Sequence, residues 1–394
     1  MKTVAIVSEF NPFHNGHRYC IDEVRRHYGE DTCIIALMSG NYTQRGDVAL
    51  ADKFTRAAAA VRGGVDLVLE IPFPYSVSSA EYYANAGVSM AASLGIVDVL
   101  AFGSECGDVD RLSDVASKLA SSDYQEALRS ALRNAPSLGY AQAAQAAYAS
   151  LYGDSGASVL ATPNDTLAVR YLVANQRLTK PLEVFCVKRQ GSYHATSLDT
   201  MASATAIRAA IDRGDLVAAY NAMPSPAAAL IREAVDNGKA PAKLSYLGNV
   251  FLSFLRLAPS GDADELSGRL AAAALNAADL EEFFTLVATK HYTHAHLRRT
   301  LWHRLFGVTS ADLQTPPAYT QVLAHNARGR AALRRASRLT TLALLTKPAD
   351  GQSLKGDAGR QVALSQRADR LYPLAMPRPV AGNAAMKAAP FCEG

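Results

Sequence analysis

Short apolar runs alternate with longer polar, helix-favouring stretches through the first half of the chain. Val4 to Ser8, Thr32 to Met38, Leu67 to Ile71, Val97 to Phe102 and Glu183 to Val187 are compact, rich in branched side chains and bounded by turn formers, so each is predicted as a strand. Strands alternating with helical segments build an α/β fold around a parallel, doubly wound sheet. Between Asp110 and Tyr152 the composition shifts to Ala, Leu, Ser and Gln without a strand signal, which predicts an inserted helical pair or lid. From Asp212 the branched runs fade, and Ala, Leu and Arg dominate to Leu345. The pattern divides the chain into a nucleotide-binding domain over 1–211, with its helical insertion at 110–152, a mainly α-helical domain over 212–347, and an extension over 348–394. Pro373, Pro377, Pro379 and scattered small residues predict that the end of that extension is mobile.

A doubly wound sheet displays its ligand contacts just past the carboxyl ends of its strands. The first predicted strand runs directly into Phe10-Asn11-Pro12-Phe13-His14-Asn15-Gly16-His17. Two histidines three positions apart share one helix face, and the helix they open adds backbone N–H groups and the positive end of its dipole. Gly16 lets the backbone approach a base or ribose. Such a cradle suits a triphosphate under attack at its α-phosphorus. A second anion-binding pattern, Ser203-Ala204-Thr205-Ala206-Ile207-Arg208, places two hydroxyls and a guanidinium at a helix start. The loop Ser39 to Gly46, followed by Lys53 and Arg56, is either a second-substrate loop or a solvated basic one. Asn164 is either a nucleotide contact or a helix cap.

At 394 residues and 49% hydrophobic content the chain has room for two cores. No apolar stretch reaches membrane-spanning length or forms a signal-peptide core, so the expected compartment is the cytoplasm. The cysteines at 20, 33, 106, 186 and 392 are scattered and read as reduced thiols. The net charge of +4 says little, but its distribution says more: Lys290 to Lys347 holds ten Lys or Arg against the single acid Asp312, with five histidines and Trp302. A basic tract interleaved with aromatics predicts a nucleic-acid backbone as partner, with Lys290, Arg298, Arg299, Arg328 and Arg330 as its contacts. His291, His294 and His296 lack a neighbouring Cys or carboxylate, and no metal site is expected there.

Taken in order, these motifs resemble the nucleotidylyltransferase superfamily, and within it the bacterial tRNA(Met) cytidine acetate ligases. The resemblance rests on Glu9 to His17, Met38 to Asn41 with Gln44-Arg45-Gly46, Gly64 to Glu70, Phe102 to Glu105, Pro163-Asn164, Lys188-Arg189, Ser203 to Arg208, Tyr292-Thr293 with Arg298-Arg299, and Gly329-Arg330. Ser8 stands where that family commonly has Ala. The resemblance implies a Rossmann-like catalytic domain that binds ATP, with Mg²⁺, through Val7, Ser8, Glu9, Phe10, Asn11, Pro12, Phe13, His14, Asn15, Gly16, His17, Arg18, Tyr19 and Cys20. Further contacts come from Gly103, Asn164, Arg189 and Gln190. It also implies the reaction: acetate is activated to acetyl-adenylate and passed to N4 of the wobble cytidine of elongator tRNA(Met). On that reading His14, His17, Ser203, Thr205 and Arg208 are catalytic and Lys53 is a further candidate for acetate or phosphate; the base of the second step is left open, with Asp66 and Glu105 as candidates. Two rivals share the same residues: a nucleotidylyltransferase acting on a small phosphate monoester, and a non-catalytic RNA-binding protein that keeps a nucleotide pocket. No membrane association or protein partner is expected.

Overall fold

The computed structural model describes residues 2–134, 139–190, 201–257 and 265–394. The five predicted strands form within two residues of their expected bounds: β1 Thr3–Ser8, β2 Cys33–Ser39, β3 Leu67–Ile71, β4 Val99–Ser104 and β5 Glu183–Lys188. All are parallel, in the order β5-β4-β1-β2-β3. Every residue of β2 is buried, as a continuous apolar run requires when helices cover both sheet faces. One face packs against the helices Ala80–Ser93 and Pro163–Gln176. The other packs against Asn15–Tyr28 and Lys53–Arg62. The strand order reverses between β1 and β4, and a crevice opens at their carboxyl ends.

The insertion is helical, with Val109–Leu119, Ser122–Asn134 and Tyr140–Tyr152 in succession. A second core gathers around the fully buried Trp302, whose ring meets Tyr42 at 4.5 Å and Phe251 at 4.6 Å. This core rests on the loop after β2, because Trp302 Nε1 donates to the Gly46 carbonyl (2.9 Å).

The stretch up to 347 is mainly helical, and within it the chain also returns to the sheet: β6, Tyr319–His325, pairs antiparallel with β3 and extends the sheet, and β7, Ala343–Leu345, pairs with β6. Tyr319, Thr320 and Val322 supply the branched and aromatic side chains of a strand with both faces buried. The extension 348–394 packs onto this frame. The helix Gly356–Leu371 buries Val362, Leu364, Ser365 and Asp369, and β8, Phe391–Cys392, pairs with Ala324 and His325. Its backbone groups cover an edge that β6 otherwise exposes. Among the described residues no helix is long and apolar enough to cross a membrane.

Candidate active site

His14 caps the Asn15–Tyr28 helix rather than lying within it. Gly16 N–H donates to His14 Nδ1 (3.0 Å), and His14 N–H donates to His17 Nδ1 (3.2 Å), so the two rings close a capping box and face each other at 3.8 Å. Gly16 is required by this arrangement, since a Cβ there would stand 2.8 Å from His14 Cε1. Burial, reinforced by the Arg189 and Arg208 guanidinium groups, pushes His14 down to about 3. Burial, then His14 and Arg189, holds His17 well below its ordinary value. Both imidazoles are therefore neutral. With each Nδ1 accepting from a backbone N–H, the proton of each ring sits on Nε2. The motif presents two neutral N–H donors, fixed in tautomer by the helix cap.

The chain enters this cap through strained backbone. Phe10 adopts φ +43°, a left-handed conformation unfavourable for a bulky residue, and it is held by packing its ring on Phe13 (5.0 Å) and His17 (4.9 Å). Arg56, buried completely, fastens the surrounding carbonyls: it donates to Ala51 O (2.9 Å), Ser39 O (3.1 Å), Gly40 O and Glu9 O. One guanidinium thus joins the ends of β1 and β2.

The second motif meets the first across the crevice. Ser203 caps the helix Ala204–Arg213. Arg208 donates to Asn11 O (2.7 Å) and to Thr205 Oγ1 (3.2 Å). A cavity of about 280 Å³ is lined by His14, His17, Ser203, Thr205 and Arg208, and also by Val7, Ser8, Glu9, Phe10, Asn11, Gly16, Tyr19, Cys20, Gly103, Asn164, Arg189 and Gln190. Gly103 leaves room for Arg189, whose Cγ would lie 3.3 Å from a Cβ at that position. Residues 191–200, just after Lys188-Arg189 and Gln190, lie outside the described residues.

Several expected contacts are not brought to the cavity. Phe13 is core, Asn15 Nδ2 donates to Asn221 O (3.3 Å), Arg18 pairs with Asp22 (2.8 Å), and Pro12 is absent from the lining. Lys53 is also corrected: it is buried, and its Nζ is held by Glu70 (2.7 and 2.9 Å) and Asp369 (2.6 Å), so no proton of the ammonium is left for a ligand. Asp66 lies before β3, at the opposite end of the sheet, where it accepts from Ile34 N (2.8 Å), Arg25 (3.1 Å) and Asn326 (2.8 Å). Glu105 spends its carboxylate on the Asn164 amide and on Asp165 N (3.0 Å). Conversely, Gln44, Arg45, Tyr83, Leu167 and Tyr171 line the cavity without having been assigned to ATP from sequence.

The basic tract is split. The helix His294–Phe306 lies against the loop after β2, with Arg299 donating to Gln44 O (3.5 Å) and Arg298 facing Asp47 (3.4 Å). Lys290 stands in the loop just before that helix, and its carbonyl meets Gly139 at the tip of the insertion. The helix Ala327–Ala336 begins at the other end of the sheet: Arg328 donates to Thr32 O (3.2 Å) and approaches Asp66 (3.7 Å), while Arg330 is exposed. The intervening β6 carries the chain from one end of the sheet to the other, so these arginines form no single surface.

A sequence profile of the HIGH Nucleotidyl Transferase family matches residues 1–386. The tRNA(Met) cytidine acetate ligase of Caldanaerobacter subterraneus subsp. tengcongensis is 32% identical over 366 residues, 90% of each chain. This chain belongs to the tRNA(Met) cytidine acetate ligase family. The Syntrophomonas wolfei ligase of the same name is 30% identical over 98% of this chain and 97% of its own. Among solved structures, Thermotoga maritima TmcAL bound with alpha-thio ATP superposes with a TM-score of 0.89 at 27% identity, over 100% of this chain and 99% of that one. That likeness runs the length of both chains.

Proposed function

We propose that this chain is a cytoplasmic, ATP-dependent ligase that acetylates N4 of the wobble cytidine of elongator tRNA(Met). The observation that carries this reading is one cavity, beyond the β1 and β4 ends, that collects His14, His17, Arg189, Ser203, Thr205 and Arg208. The names of its relatives supply the acceptor and the acid.

In the first step an acetate oxygen attacks the α-phosphorus of ATP, the bond to the β-phosphate bridging oxygen breaks, and acetyl-adenylate and pyrophosphate result. Positioning and charge stabilisation supply most of such a reaction. The Nε2–H groups of His14 and His17 donate to the α-phosphate as charge builds on it. Ser203, Thr205 and Arg208 receive the leaving pyrophosphate, and Arg208 also ties that group of donors to the His loop through Asn11 O. Neutral histidines suit this role, because they stabilise charge without having to be desolvated as ions. Among the described residues there is no cluster of three His, Cys, Asp or Glu able to hold a metal. Mg²⁺ would come with ATP and would supply charge neutralisation at the triphosphate. The face formed by Arg45, Arg298 and Arg299 adjoins the cavity through the Gln44–Arg45 loop and suits a tRNA backbone.

The test is transfer of labelled acetate, with ATP and Mg²⁺, to an unmodified elongator tRNA(Met) transcript and to one with uridine at the wobble position. Label on the first transcript alone is expected. Label on neither sinks the ligase reading and favours adenylyl transfer to a small phosphate monoester.

A further inference from the structure

The second step needs a proton acceptor. The cytidine N4 lone pair is conjugated with its ring, so attack on a carbonyl proceeds only as the nitrogen loses a proton. Neither histidine can take it: each Nδ1 is held by a backbone N–H and each Nε2 already carries the proton. Asp66 lies at the wrong end of the sheet and Glu105 is consumed by Asn164 and Asp165.

We propose that Glu9 is the general base of acetyl transfer, an assignment that rests on the ligation reading above. It is the sole carboxylate among the described residues that line the cavity. It directly follows β1, between the His14–His17 cap and the Gln44–Arg45 loop, where the nucleotide cavity meets the basic face of the helix His294–Phe306. Its position is fixed twice. Gln44 N–H donates to Oε1 (2.7 Å), and Arg56 grips the Glu9 carbonyl from the buried side. The hydrogen bond to Oε1 directs the carboxylate, and among the described residues no other group takes Oε2. Tyr83 and Tyr171 stand close by. Burial raises both phenols and the Glu9 charge raises them further, so they stay neutral.

In the step itself, N4 attacks the acetyl carbonyl carbon and the C–N bond forms while the π electrons move to oxygen. Glu9 takes the N4 proton. The intermediate then collapses, the bond from the acetyl carbon to the AMP phosphate oxygen breaks, and AMP leaves with that electron pair. The proton on Glu9 passes to solvent.

Glu9→Gln keeps an oxygen for Gln44 N–H and removes only the basicity. Three rates are measured in the variant and in the native protein: acetate-dependent ATP–pyrophosphate exchange, acetohydroxamate formation with hydroxylamine replacing tRNA, and acetyl transfer to the tRNA(Met) transcript. Hydroxylamine is nucleophilic enough to need no base, so it reports the acetyl-adenylate directly. Transfer to tRNA is expected to fall ~10²- to 10⁴-fold relative to hydroxamate formation in the same variant. Transfer within about threefold of native, or an equal fall in all three rates, overturns the assignment; the latter would make Glu9 a nucleotide or metal contact. Native protein that shows no acetate-dependent exchange removes the ligation reading itself, an outcome visible without the variant.

Discussion

Lys53 with Glu70 and Asp369, and the buried His14 with the half-buried His17, are both polar clusters near strand ends of one sheet, and both carry side-chain types that catalyse reactions elsewhere. They differ in what is left over. Every proton of the Lys53 ammonium meets a carboxylate oxygen, and Asp369 also accepts from Asn41 Nδ2 (2.9 Å). Burial opposes the Lys53 charge, but Asp369 and Glu70 outweigh it and raise its affinity for the proton. The cluster is closed, and it locks the Lys53–Arg62 and Gly356–Leu371 helices to β3. The histidine pair uses one nitrogen of each ring for the helix cap and keeps Nε2–H on the other. Burial and charge alone do not mark a catalytic group. The valence that the fold leaves unspent does.

The comparison is broken most directly at Lys53. Lys53→Met strands Glu70 and Asp369 without their cation, and removing one partner of a buried ion pair costs about 3–5 kcal/mol. The loss should appear as a lower urea midpoint, while the folded fraction keeps native acetate-dependent exchange. A variant that folds normally but loses exchange would place Lys53 back in the chemistry. His17→Ala is expected to do the opposite. Exchange should fall ~10²- to 10³-fold, the usual consequence of removing one preorganised donor, with a smaller change in the urea midpoint than Lys53→Met produces. Exchange retained at near-native rate would remove the neutral-donor account of the motif.

Why the two clusters were not separable in the sequence follows from where their partners lie. The His14 cap is local: its acceptor and donor sit within three residues, so His-x-Gly-His announces the geometry on its own. The partners of Lys53 come 17 and 316 positions later, a distance no local pattern spans. The same contrast runs through the fold. The parallel strands were legible because each is a short apolar run flanked by turn residues. β6 was not, because Tyr319 to His325 mixes Thr, Gln and His among its apolar residues and is followed at once by the Ala- and Arg-rich helix Ala327–Ala336. The Pro316-Pro317 pair just before it was an available sign that the helical run had ended. β8 is two residues long, below any periodicity, and exists only because β6 offers it an edge. Glu9, though part of the motif, could not be given a role of its own until the structure removed Asp66 and Glu105.

The smallest expected effect probes the neutrality of the histidine pair. His14 has an ordinary value of 6.5 and is held down to about 3 in the fold. Above about pH 6.5 both the folded and unfolded chains carry it neutral and it imposes no penalty. As the pH falls below that value the unfolded chain binds a proton that the folded chain refuses, so stability drops towards the folded value. His17 is depressed in the same direction and adds to the slope. His14→Asn keeps a good N-cap acceptor while deleting one such titration. The variant should lose up to about 1.4 kcal/mol less stability per pH unit than the native protein between about pH 6 and about pH 4, read from urea midpoints across that range. Parallel slopes in the two proteins would mean that His14 is protonated in the fold. A charged His14 would make the cap a cationic anion trap, and the contrast with Lys53 would then lie in charge pairing instead of unspent hydrogen-bonding capacity.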